Sequence, residues 1–174
     1  MKFTFDTDYD QRALTAMARA LRKTLRRKSS RTTRFFALLI VALAVLLTIP
    51  AAREGFELTV NVAATWLAAI VIVGVFFLED SINAYIAKRK MMLGTESAKS
   101  QFTDESYTTE TDLGVSEWNY DRIDAVAETK RYFVFLFDRS HAQLYDKESI
   151  GGGTADEFRS FIEEKTGLPV EYVG

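Results

Sequence analysis

The chain has 174 residues, a formal net charge of −2 at pH 7, no cysteine and a single histidine. Disulfides, thiolate metal sites and a cysteine nucleophile are thereby excluded, and no set of histidines exists to build a metal cluster. The near-neutral average conceals three unlike segments: residues 1–34 carry ten Lys or Arg against three Asp, residues 35–94 are mostly apolar, and residues 95–174 are acidic.

Lys2-Phe3-Thr4-Phe5 alternates and predicts an edge strand. Thr7 with Asp10 three residues on predicts a helix start. Leu14, Met17, Ala18, Leu21 and Leu25 then recur at helical spacing, with Arg12, Arg19, Arg22, Lys23 and Arg26 over the remaining surface. The expectation is a basic amphipathic helix leading into the membrane. Its charges, Arg22, Lys23, Arg26, Arg27, Lys28, Arg31 and Arg34, are the candidate contacts for anionic headgroups. The plainer reading is that they set orientation, and the acidic C-terminal segment is an alternative partner for them.

Phe35–Ala52 and Leu58–Leu78 contain no charged residue. As helices they span about 27 Å and about 31 Å, enough for the hydrocarbon core of a bilayer. The link at 53–57 is short, so the two helices are expected as antiparallel neighbours, with Pro50 in the last turn of the first. A buried hairpin in a soluble core needs shorter runs, and a signal peptide is not followed by a second run. Seven Lys or Arg lie between Arg22 and Arg34, and Lys88, Arg89 and Lys90 follow the second run, whereas the link holds Arg53 alone. Both ends of the hairpin are therefore expected in the cytoplasm. The second helix is expected to continue to Gly94 as a C-cap.

Beyond Lys99 the period shortens towards two. Ser100–Phe102, Ser106–Thr111, Val115–Tyr120, Ala125–Thr129, Tyr132–Phe137 and Ala142–Asp146 are predicted strands. Tyr132–Phe137 is apolar throughout and belongs at the centre of a sheet. Thr154 and Glu157 form a capping box that opens a helix carrying Phe158, Phe161 and Ile162. Gly167 and Pro169 end it, and Val170–Val173 supplies a last short strand. The predicted fold is an α+β membrane protein: an N-terminal strand and basic helix (1–34), a two-helix transmembrane hairpin with a cytoplasmic extension (35–94), and a small antiparallel sheet capped by a C-terminal helix (95–174).

No residue set rises to a catalytic constellation. Gly151-Gly152-Gly153-Thr154 precedes a helix but lacks the Lys of a phosphate loop, so a flexible lead-in is the plainer reading. His141 sits in a turn near Asp138 and Asp146, as an exposed polar residue rather than a general base. Glu148, Asp156, Glu157, Glu163 and Glu164 read as a solvated acidic face, and Glu79-Asp80 as the end of an apolar span. Trp118, Tyr120, Tyr132 and Phe133 read as core. The acidic balance of the C-terminal segment argues against nucleic acid. No cofactor is expected.

Phe102-Thr103-Asp104-Glu105, Trp118 with Ile123, Tyr132–Phe137, Ala142–Tyr145, and Phe158 with Phe161 together resemble the YcxB-like family of small bacterial membrane proteins. The two apolar runs and the N-terminal strand and helix fit the same layout. Tyr145-Asp146-Lys147 stands where that family tends to have Ile-Pro-Lys. The resemblance implies a cytoplasmic domain similar to a pleckstrin-homology (PH-like) sheet capped by a helix, and implies no reaction. The expected function is a membrane-anchored, non-enzymatic interaction or regulatory module that binds the bilayer and a protein partner. The alternative is a homo-oligomeric subunit of a transport or channel complex, packed through Ala42, Ala44, Ala63, Ala64, Ala68, Ala69 and Gly74.

Overall fold

The computed structural model describes residues 2–53 and 60–174. Beyond Arg53, the expected interhelical link lies outside the described residues. The chain forms two compact units: residues 1–27 together with 80–174, and residues 28–79.

The first unit is mixed α+β. Strands β1 (Phe3–Asp8), β2 (Ser97–Phe102), β3 (Tyr107–Thr111) and β4 (Gly114–Trp118) form one antiparallel sheet in that order. β5 (Ala125–Glu128), β6 (Tyr132–Leu136), β7 (Ala142–Asp146) and β8 (Val170–Tyr172) form a second, in the order β7-β6-β5-β8. The single antiparallel sheet expected above is thus two four-stranded sheets, and the β5–β8 pair is parallel. The misreading has a physical reason: strand pairings distant in sequence leave no trace in local periodicity.

β1 lies at an edge, as its alternation predicts, and pairs along its whole length with β2, from Phe3↔Phe102 to Asp8↔Ser97. Everything from Tyr9 to Glu96 is therefore an insertion into the first β-hairpin. Thr4 also exchanges backbone hydrogen bonds with Gly151, at 3.0 and 2.9 Å, which ties β1 to the segment that follows β7.

Helix α1 (Gln11–Lys23) starts later than predicted. Asp10 is its N-cap, with Oδ1 accepting from the Ala13 amide at 2.7 Å. Thr7 is instead buried in β1, where its hydroxyl oxygen accepts from the Asp146 amide at 3.2 Å. A turn at residues 24–26 separates α1 from α2 (Arg27–Arg53), so the helix is not continuous into the first apolar run.

The aromatic core joins the sheets to α4 (Ala155–Thr166). Phe3, Phe5, Phe102, Tyr107, Phe133, Phe135, Tyr145, Phe158 and Phe161 pack as one cluster, largely edge-to-face. On the other face of the second sheet, Ala13, Ala20 and Leu21 of α1 meet Val134, Leu136, Leu144 and Val173. β6 is covered on both faces, which is why its sequence does not alternate. Helix α4 opens on the predicted capping box and ends at Gly167 in the left-handed conformation, φ +67°.

Helix α3 (Val60–Lys90) stops four residues short of Gly94, which lies in a turn at φ +88°. Arg27–Leu46 and Val60–Lys90 are long and apolar enough to cross a membrane, and Phe35, Leu39, Leu67, Val71 and Phe77 along them are exposed.

Candidate functional site

The basic segment divides in two. Arg22 makes a paired hydrogen bond to Asp80, with Nε–Oδ1 at 2.7 Å and Nη2–Oδ2 at 2.6 Å, and Arg19 adds a contact at 3.7 Å. Lys23 donates from Nζ to the carbonyls of Val173 and Gly174, at 2.8 and 3.2 Å. Arg26 donates from Nε to the Arg139 carbonyl at 2.6 Å, holding the β6–β7 hairpin. These cations brace α1 against its own domain, and the apolar face of α1 is buried in protein. Arg27, Lys28 and Arg31, on the first turns of α2, are exposed and form no ion pair among the described residues. Arg34 binds Glu79 at 3.0 Å and lies 6.0 Å from the Phe76 ring centroid. Glu79 and Asp80, read above only as the end of the apolar span, are therefore also arginine acceptors.

The glycine run is not a flexible lead-in. A Cβ at Gly152 would collide with the Lys2 carbonyl oxygen, one at Gly151 with the Thr4 hydroxyl, and one at Gly153 with the Phe3 ring. Gly152 lets β1 approach backbone to backbone, and Gly151 and Gly153 leave room for the Thr4 and Phe3 side chains. The amino end of α4 is filled by its own cap: Glu157 accepts from the Thr154 amide at 2.7 Å, and hydrogen bonds from Thr154 hold its carboxyl below the usual range.

The acids expected as a solvated face have local duties. Glu148 contacts Arg131 at 3.1 Å, Asp156 contacts Arg159 at 2.5 Å, and Glu163 accepts from the Val170 amide at 3.0 Å. Among the described residues no group of three His, Asp or Glu is placed to hold a metal ion. His141 is exposed, with Nδ1 2.7 Å from Asp138 Oδ2. Asp138 also accepts from the Ser140 and His141 amides, and these bonds keep its carboxyl low.

Sequence reasoning missed the charged cluster at Glu128. This carboxylate is 5 % exposed and accepts from Arg159, at 2.6 and 2.8 Å, and from Lys147. Burial alone would raise its pKa, but the bonds from Arg159 and then Lys147, with their charges, outweigh that and lower it. Nothing local marks the cluster, since its members come from β5, the segment after β7, and α4. Nearby, Asp146 binds Arg131 in a fork at 2.7–3.2 Å. Tyr120 and Tyr132 are buried, Phe133 is core, and Trp118 packs on Phe137 with centroids 5.2 Å apart. Burial pushes the Tyr120 phenol upward.

Residues 102–162 match the model of the family described as YcxB-like protein. The chain carries a YcxB-like domain. No curated protein matches the chain. The match to the YcxB-like domain begins at Phe102 and ends at Ile162, both core residues, and takes in β3 to β7 and most of α4. It is narrower than the whole-chain layout expected above. The features that carried the resemblance, Phe102, Ile123, Phe158 and Phe161, are packing residues, so they report a fold rather than a reaction. At Tyr145-Asp146-Lys147 the backbone and side chain of Asp146 are both used. A proline at 146 would lack both the amide that donates to Thr7 and the carboxylate that binds Arg131.

Proposed function

We propose that this chain is a membrane-anchored, non-enzymatic interaction module that presents its YcxB-like domain, on the cytoplasmic side, to a protein partner. The observation that carries the reading is the pairing of β1 with β2. These strands flank the two membrane-length helices in sequence yet share one sheet. That supports a hairpin which leaves and re-enters the same face of the bilayer. Arg27, Lys28 and Arg31 before the first apolar run, and Lys88, Arg89 and Lys90 after the second, favour the cytoplasmic face. The same Arg27, Lys28 and Arg31 are the side chains that the fold leaves available for anionic headgroups.

Two antiparallel meanders, β1–β4 and β5–β7, followed by α4, support the PH-like reading. The membrane hairpin then stands where such a domain would have its first turn. A binding role is favoured over catalysis because the charged groups are committed to holding the fold: Glu128, Asp146 and Glu157 each bond to named structural partners. The test is capture of the tagged full chain from native membranes in mild detergent. A distinct protein recovered in stoichiometric amount is expected. Recovery of this chain alone would overturn the partner reading.

A further inference from the structure

Among the described residues β4 is an edge strand with β3 as its only sheet neighbour. Its turn has two residues, with Thr111 facing Gly114, so these form the hydrogen-bonded closing pair. Alternation then directs the backbone N–H and C=O of Val115 and Glu117 outward. No group among the described residues bonds to them. Gly114, Val115, Ser116 and Glu117 are exposed, Val115 at 66 %, and the strand has neither Pro nor Lys to blunt the edge. The opposite margin of the domain is closed differently: β1 is bonded to Gly151, and Thr7 accepts from Asp146 of β7.

We propose that this edge is the interface of a symmetric dimer, in which β4 pairs antiparallel with β4 of a second copy about Ser116. The sequence Gly-Val-Ser-Glu-Trp is self-complementary in that register. Val115 meets Glu117 of the other copy through their outward backbone groups, twice, forming four hydrogen bonds. No carboxylate opposes a carboxylate. Gly114, which has open space where a Cβ would be, faces Trp118 of the other copy, an aromatic that covers an edge glycine. Antiparallel pairing also brings the Asp112-Leu113 turn of one copy to the segment ending in Arg122 of the other. Both charges are exposed, so the match is electrostatic as well, and it occurs twice.

The absence of cysteine makes the register directly testable in the full chain. Ser116 would be a non-hydrogen-bonded pair across the axis, with Cα atoms about 4.5 Å apart, close enough for a disulfide. Ser116→Cys in native membranes, oxidised with copper phenanthroline, is expected to give a disulfide-linked dimer. Thr108→Cys, on β3, is expected to give none. Adding Asp112→Arg to Ser116→Cys should reduce the linked fraction at least several-fold, and adding Arg122→Asp as well should restore it. No link at position 116, an equal link at 108, or a failure of the charge swap to restore it would overturn the proposal. An adduct of unequal mass would do so too, by assigning the edge to a strand of another protein. This readout is independent of partner capture, so either reading can fail alone.

Discussion

At Gly152 the backbone sits at φ +84° and the missing side chain leaves room for the Lys2 carbonyl. Both conditions penalise any Cβ. Gly152→Ala is expected to destabilise the domain by about 2–3 kcal/mol, combining left-handed strain with the collision. Thermal unfolding in detergent, followed by tryptophan fluorescence, measures it. Three consecutive glycines were visible in the sequence, but their reason was not, because the chain they accommodate is nearly 150 residues away. Glu128 gives a second prediction. Glu128→Gln leaves Lys147 and Arg159 facing a neutral group in a buried site and is expected to cost about 3 kcal/mol. The pH dependence has a definite sign. Glu128's folded pKa lies below its unfolded value of about 4.3. The stability it contributes is therefore complete above that value and is lost as pH falls through the folded value. Acid titration of the wild type and Glu128→Gln should converge at low pH; parallel curves would contradict the assignment.

β1 is six residues long and supplies Phe3 and Phe5 to the centre of the aromatic core. Phe5→Ala is expected to cost about 3–5 kcal/mol, as for other large core truncations, read from the same unfolding transition. If β1 were a separate appendage, the change would be near neutral. The elements that periodicity could reach were legible: β6 as an unbroken apolar run, the β6–β7 hairpin, and α4 from its capping box and glycine stop. What was not legible is what joins them. The β1–β2 register, the parallel β5–β8 pair and the split into two sheets are decided by contacts between distant segments. The break at residues 24–26 was hidden for a different reason, since apolar spacing continues through Leu25 while the backbone does not. The basic face was legible as charge, but the hydrogen bonds of Lys23 and Arg26 to carbonyl oxygens were not, since no charge count reveals them.

For the whole molecule, the proposed topology makes a labelling prediction. In intact cells a membrane-impermeant thiol reagent should modify Gly55→Cys, in the link, and leave Glu164→Cys, exposed on α4, unmodified until the cells are opened. Labelling of Glu164→Cys from outside would reverse the orientation. Because β1 is made first and its partner strand comes only after both apolar helices, on that topology the domain cannot close until those helices have been placed. A hairpin that crossed only once would strand β1 in the wrong compartment and leave β2 without its neighbour. An error of insertion thus becomes an incomplete sheet with Phe102 uncovered, a form that cellular proteases readily detect. On the proposed topology, the chain in effect proofreads its own passage through the lipid by whether its first strand can be found again.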